Sequence, residues 1–137
     1  MRVWRGRASA VAVAVGVTAL LSTVLSAQYA GWTIPDTAKT EKSPVKNAAD
    51  AAKKGKSLFS SNCAKCHGAE GKGNGPDSDH AADLTDEFRT ELNPEGVLYY
   101  KVWNGHTGDM PGFKSKFTKD ETWALVEYLK VLRTPAK

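Results

Sequence analysis

Cys63, Cys66 and His67 stand in the order Cys63-Ala64-Lys65-Cys66-His67. Two thiols at this spacing can form thioether bonds to one edge of a porphyrin while the next residue, a histidine, reaches the iron at its centre; this is the pattern of c-type heme attachment. The chain has two cysteines and this chemistry uses both. Other readings of the pair explain less. A thioredoxin-like dithiol needs a preceding strand, and the residues before Cys63 have helical spacing instead. A structural zinc site needs four ligands, and His80 and His106 fall at spacings that fit no compact zinc pattern. A Cys63–Cys66 disulfide is feasible chemistry in an oxidising compartment, but it leaves His67 without a role.

Met110 is the second candidate. It lies in a Gly/Pro loop, Gly105-His106-Thr107-Gly108-Asp109-Met110-Pro111-Gly112-Phe113, which is an unusual place for a core-filling side chain. A thioether is a soft, neutral ligand for heme iron and raises its reduction potential, and Pro111 stiffens the chain next to it. His106, four residues earlier, is the alternative ligand, giving a bis-histidine site. His80 reads as an exposed or loop-anchoring side chain.

These residues need helices to position them. Ala51, Ala52, Gly55, Leu58 and Phe59 recur at three- and four-residue intervals, which predicts a helix over about 49–61. Gly55 is costly inside a helix unless another helix crosses close by. A second helix should start at Asn93-Pro94-Glu95, with Asn93 as cap and Pro94 in the first turn, and stop at Asn104-Gly105. A third begins at Thr118-Lys119-Asp120-Glu121, a capping-box sequence, and runs through Leu132 toward Pro135. Its Ala124 and Tyr128 are expected against Gly55 and Phe59. Between His67 and Pro76, four glycines (68, 71, 73 and 75) predict an irregular loop, read as one pressed against a large flat surface. It lacks the G-x-x-x-x-G-K-[ST] order of a phosphate loop. Leu84 is the expected inward residue of the polar stretch 77–86. No strand pattern and no repeat is present.

Length and charge set the frame. The chain has 137 residues and a formal charge of +4. Arg2, Arg5 and Arg7 supply three of its 19 basic residues, so the rest of the chain carries 16 against 15 acidic ones. That near-balance, without a Lys/Arg cluster, excludes a nucleic-acid footprint. The three arginines precede an apolar run from Ala8 to Leu25, the order of an export signal. Two outcomes stay open: cleavage near Ala27 to Ala30, or retention as a membrane anchor through residues 8–27. Both place the remainder outside the cytoplasm, in the periplasm or on the outer face of the membrane. The expected organisation is a signal peptide or anchor over 1–30, a flexible polar linker over 31–48, a heme domain over 49–134 and a tail over 135–137. A heme domain this small would have a marginal core of its own, which an apolar porphyrin would complete.

On the Cys63-to-His67 motif, the preceding helix with Gly55 and Phe59, the Met110-Pro111 loop and the last helix with Tyr128-Leu129, the chain resembles a class I (monoheme) cytochrome c, exported or membrane-tethered. The resemblance covers nearly all of 49–134. It implies an all-α fold wrapped around one covalent heme c, with the first and last helices crossing near Gly55. It assigns Cys63 and Cys66 to the thioethers, His67 to the proximal position and Met110 to the distal position. It also implies maturation outside the cytoplasm and one-electron shuttling between protein donors and acceptors, including a membrane respiratory complex, by a monomeric domain that is not an enzyme. Docking in this family uses the exposed heme edge, often ringed by lysines. Lys65, Lys72, Lys114 and Lys116 are candidates here, although Glu70 and Asp109 interrupt the ring. The interval from His67 to Met110 is shorter than in mitochondrial-type members, so their long Ω-loop is trimmed. The rival functions are a heme enzyme or a gas or redox sensor, both needing a displaceable distal ligand, and a tethered heme subunit of a larger complex.

Overall fold

The helix before the cysteine motif and the last helix of the chain cross in direct backbone contact, and the rest of the fold is laid around that crossing. The computed structural model describes residues 31–133, apart from the side chain of Thr90. The expected export segment and the C-terminal tail lie outside the described residues. From Ile34 onward the chain forms one unit, with six helices among the described residues, in order: α1 (Asp36–Thr40), α2 (Ala48–Asn62), α3 (Ala64–His67), α4 (Glu87–Leu92), α5 (Glu95–Asn104) and α6 (Lys119–Leu132). Among the described residues there is no strand, only an isolated antiparallel bridge between His106 and Met110. The fold is all-α, as expected.

Helix α2 starts where Asn47 caps it, its side-chain oxygen accepting from the Asp50 N–H at 3.2 Å. Ala52, Gly55 and Phe59 are its buried stripe. Helix α6 opens on the complete capping box: Thr118 accepts from the Glu121 N–H, and the Glu121 carboxylate accepts from the Thr118 N–H at 3.0 Å. The two reciprocal bonds satisfy amides that a helix start leaves unpaired. At the crossing, a Cβ on Gly55 would run into the Ala124 carbonyl and lie 2.8 Å from Tyr128 Cβ. The Phe59 and Tyr128 rings meet beside it at 5.4 Å. The interval from Gly55 to Phe59 is one helical turn, so the glycine and the ring fall on one face.

Helix α5 buries Val97, Leu98, Tyr99 and Val102. It docks on α6 through Tyr99, whose ring stacks on Trp123 at 4.5 Å and on Trp103 at 5.7 Å. Asn93 does not cap this helix. Pro94 takes the N-cap position without a side-chain bond, and the Asn93 amide instead donates to the Arg89 carbonyl at 2.7 Å and accepts from Lys101 Nζ at 2.7 Å. Helix α4, just before it, was not expected, because its six residues hold too little periodicity to show.

The segment expected as a flexible linker is also different. Over 34–45 the chain carries α1 and buries Ile34 and Ala38. A Cβ on Gly96 would strike the Ala38 carbonyl, so glycine lets this strap lie on α5. Two buried apolar residues four apart were too short a pattern to stand out among the surrounding polar ones. The strap is also held at Glu95, 3.1 Å from Lys130 Nζ and 4.0 Å from Lys42 Nζ. Burial raises the Glu95 carboxyl, but the Lys130 bond, the Ser43 backbone bond and the two ammonium charges outweigh it and hold the group below its ordinary 4.5.

Two outcomes follow. Gly55→Val should cost about 3 kcal/mol of stability, because the backbones cannot separate without losing the core; a guanidinium melt within about 0.5 kcal/mol of the parent would remove the crossing as a constraint. Glu95 has a depressed folded-state pKa, so its contribution is present above 4.5 and is lost as pH falls below it. Hydrogen exchange of residues 34–45 should therefore accelerate below that pH, and Glu95→Gln should abolish the dependence.

Candidate functional site

Helix α2 leads into the cysteine motif at Cys63, which ends α2 and starts the next turn. The Cys63 N–H still bonds the Phe59 carbonyl at 2.8 Å, and the Cys66 and His67 N–H groups bond back to the Cys63 carbonyl at 3.1 and 2.8 Å. The motif is thus one extra turn, α3, whose position is fixed by the α2–α6 crossing. Cys63 and Cys66 are not joined in a disulfide, and both are of intermediate burial. Burial, reinforced by the adjacent Cys66 sulfur and opposed by Lys116, pushes the Cys63 thiol up to about 11. It is therefore a protonated thiol at neutral pH and a poor spontaneous nucleophile.

The glycine loop after His67 wraps this turn. The Gly73 N–H bonds the His67 carbonyl at 2.8 Å, the Gly75 N–H the Cys66 carbonyl at 3.1 Å and the Asp77 N–H the Lys65 carbonyl at 2.8 Å. These are carbonyls that the end of a helix leaves unpaired. A Cβ on Gly75 would hit the Lys65 carbonyl, and one on Gly73, at φ +74°, the Ala81 carbonyl. The glycines at 73 and 75 thus answer to close backbone neighbours within the protein. The close approach at Gly73 has a chemical result. It brings residues 81–83 against the motif, where the Ala82 carbonyl lies 3.0 Å from His67 Nδ1. A carbonyl can only accept, so Nδ1 carries the proton and Nε2 presents its lone pair, the arrangement that orients an imidazole as a metal ligand.

Met110 sits in a loop closed at its base by glycines 105 and 112. A Cβ on Gly105, at φ +70°, would meet the Gly112 N. The returning chain is pinned to α5 by Phe113 N–H to the Val102 carbonyl at 3.0 Å and Lys114 N–H to the Trp103 carbonyl at 3.1 Å. His106 braces the tip: its N–H bonds the Met110 carbonyl at 2.7 Å and its carbonyl accepts the Met110 N–H at 3.1 Å. The His106 ring is turned to Asp109, with Nδ1 2.7 Å from the carboxylate. A hollow of about 400 Å³ is bounded by Asn104 and residues 106–112; it borders none of Cys63, Cys66 or His67, so it is a feature of this loop alone.

Cys63 and Met110 are both partly buried and packed against the main core cluster, as are Leu58, Leu84, Trp103 and Leu132. Leu84 is the inward residue expected of the 77–86 stretch. The chemistry of these groups fits a covalently held heme: two thiols in one turn, an imidazole oriented by the Ala82 carbonyl and a thioether packed on the same core. His80 is exposed beside Asp79. Of the four lysines expected around the site, Lys65 pairs with Asp77 at 3.7 Å and Lys72 with Glu70 at 2.7 Å, which leaves a less basic collar than the lysines alone imply. One contributor, Ala82, and the bracing role of His106, weighed in the sequence only as an alternative ligand, were missed. Ala82 acts through a backbone carbonyl and leaves no side-chain signal. His106 acts as a brace, which its three-residue spacing from Asp109 could have indicated.

These features define a c-type heme domain: a helical unit with a Cys-x-x-Cys-His turn and a methionine loop packed on one core. The cytochrome c family model matches residues 52–133, and the chain belongs to the cytochrome c family, whose cofactor is covalently bound heme c. It is 34% identical over 82 residues to the cbb3-type cytochrome c oxidase subunit FixP of Azorhizobium caulinodans, covering 60% of this chain and 27% of that protein. It is 40% identical over 82 residues to the cbb3-type cytochrome c oxidase subunit CcoP of Helicobacter pylori, covering 58% of this chain and 27% of that protein. The chain thus matches little more than a quarter of the length of these relatives. Among solved structures it is similar to a chain of the Kuenenia stuttgartiensis reducing HAO-like protein complex Kustc0457/Kustc0458, with TM-score 0.60, 27% identity and coverage of 66% of this chain and 47% of that one. Among the described residues no helix is long and apolar enough to cross a membrane.

Gly73→Val should push residues 81–83 away from His67 and cost about 1–3 kcal/mol through its forced backbone. The His67 Nδ1 proton should then exchange faster with solvent; a proton resonance as protected as in the parent would show that the Ala82 contact does not depend on Gly73.

Proposed function

We propose that this domain is a one-electron carrier. Cys63 and Cys66 would hold a single heme c through thioethers, and His67 Nε2 and Met110 Sδ would ligate its iron. The observation that carries the reading is the His67 Nδ1 bond to the Ala82 carbonyl at 3.0 Å, at the residue that directly follows the chain's two cysteines. Heme c supplies a reversible ferric/ferrous couple when bound, and methionine–histidine ligation in an apolar shell favours the reduced state. The residues of the chain do the rest. The α2–α6 crossing holds the cysteine turn rigid, and Ala82 fixes the imidazole tautomer. The braced 105–112 loop keeps the thioether from swinging away. With both positions filled by protein, no site is left for a substrate, which supports a carrier over a heme enzyme or a sensor. The turn of His106 toward Asp109 supports its role as brace instead of ligand.

The partners in this reading are protein donors and acceptors at the outer face of a membrane, and the domain is monomeric. The likeness to cbb3-type oxidase subunits supports delivery of electrons to a membrane respiratory complex, as a tethered carrier or as a heme subunit. Residues 1–30 export the chain to the periplasm or anchor it, residues 49–134 form the heme domain, and 135–137 are a tail.

Met110→Ala tests the assignment. The parent should give low-spin spectra in both oxidation states and ignore carbon monoxide when reduced. The variant should become high-spin when oxidised, bind carbon monoxide stoichiometrically and lose reduction potential. His106→Ala should keep the parent spectrum. If His106→Ala, and not Met110→Ala, opens the iron, the ligand is the histidine and the carrier reading must be rebuilt on a bis-histidine site.

A further inference from the structure

Phe88 is the most exposed large apolar residue among those described, with 70% of its surface in water. It stands on α4, and α4 packs on no other helix among the described residues. The two ends of this helix are fixed by hydrogen bonds. Asp86 accepts from the Phe88 N–H at 2.9 Å, and the Asn93 side-chain amide donates to the Arg89 carbonyl at 2.7 Å. Between these bonds Glu87, Phe88, Arg89 and Glu91 are exposed, and none of the described side chains of α4 is buried. Val131 is also exposed, but it lies on α6, which buries all of 122–129. A single exposed apolar residue on such a helix is ordinary. Helix α4 has no buried face of that kind to account for Phe88.

A helix of six residues is too short to be stable by itself, and this one carries two further costs. Glu87 and Glu91 are one turn apart, a spacing at which like charges destabilise a helix, and neither makes an ion pair among the described residues. The Phe88 ring stays in water. A surface that offered the ring an apolar contact and the carboxylates positive charge would relieve both. The surroundings have the same sign. Over 77–91, Asp77, Asp79, Asp83, Asp86, Glu87 and Glu91 stand against one arginine, Arg89. Phe88 also follows Ala82, whose carbonyl holds His67, by six residues. Its Cα is therefore no more than about 22 Å from that of Ala82, so a partner seated on α4 is close to the segment that orients the imidazole.

We propose that α4 is a docking face for a redox protein, with Phe88 as its apolar anchor and Glu87 and Glu91 as the charges that select a partner whose own face is basic around an apolar pocket. The inference rests on the carrier reading above and names the chemistry of one partner, a protein of the membrane respiratory system. It gives a use to carboxylates of 77–91 that the heme site does not employ. An aromatic anchor inside a charged border is the usual division of labour at such a face: the ring supplies most of the binding energy, and the charges speed the encounter and exclude acidic competitors.

The test mixes the matured, heme-loaded full chain, reduced, with washed aerobic membranes of the cells that make it, and follows reoxidation in the heme absorbance at several ionic strengths. The variants are Phe88→Ser and the double variant Glu87→Gln/Glu91→Gln, with Val131→Ser and Glu41→Gln as exposed controls. The second-order rate of the parent should fall as salt rises, because opposite charges attract across the encounter. Phe88→Ser should lower the rate about tenfold and keep the salt slope. The double variant should lower the rate at low salt and flatten the slope. The controls should match the parent. Rates and slopes of both test variants equal to those of the parent overturn the proposal, as does a parent rate that does not fall with salt. A Phe88→Ser variant whose heme spectrum or reduction potential departs from the parent's places the ring on the cofactor and overturns it as well. A parent that sediments as a dimer, with Phe88→Ser a monomer, assigns α4 to a second copy of this chain and rejects the basic partner. A heme-loaded parent that the membranes neither oxidise nor reduce overturns the carrier reading, and this docking face with it, before any variant is compared.

Discussion

The contact that the rest of the structure depends on is the approach of the α2 backbone to that of α6 at Gly55. No side chain separates them there, and the Ala124 carbonyl lies where a Cβ would be. This fixes the direction of α2 at its C-terminal end. Because α3 continues from α2 through the Cys63 N–H bond to Phe59, it also fixes where the cysteine turn points. Every later feature of the site inherits that geometry. A small domain needs such a contact, because its apolar core alone gives little margin.

The two chemical ends of the site are built by the same device in different loops. In each, glycines allow backbone to pack on backbone, and the resulting hydrogen bonds hold one side chain. The 68–77 loop wraps α3 and delivers the Ala82 carbonyl to His67. The 105–112 loop closes on itself and is pinned to α5, with His106 bonded to Met110 on both backbone groups. Carrying an electron asks for little movement between oxidation states, and loops held by their own backbone serve that need better than loops held by long side chains. The strap over 34–45 adds a third rigid piece on the far side of α5.

Much of this was legible in the sequence because the relevant signals are local. The cysteine turn, the capping box at Thr118 and the stop at Gly105 each lie within a few residues. Gly55 was legible for a related reason: a glycine at one helical turn from Phe59 has no local purpose, so it points to a neighbour. The misses are all non-local. The Asn93 side chain is an attractive cap by type, but Lys101 and Arg89 claim it across the fold. The carbonyls of residues 81 and 65 that crowd the glycines at 73 and 75 come from segments the loop itself does not announce. The strap is held by Ile34 and Ala38 on a partner surface, Gly96, that lies some sixty residues away in sequence. No periodicity in a short polar stretch could have shown it.

The central claim is that the iron of a single covalent heme is closed on both faces, by His67 and by Met110. The most direct measurement is the proton NMR spectrum of the reduced holoprotein. A methionine held on the iron lies inside the ring current of the porphyrin, so its methyl and methylene protons are shifted far upfield of all other protein signals. The account predicts one such set, with a single three-proton methyl line belonging to Met110. A spectrum of the folded, reduced, heme-loaded protein without upfield methionine lines would contradict it and leave the distal face to His106 or to an exchangeable ligand.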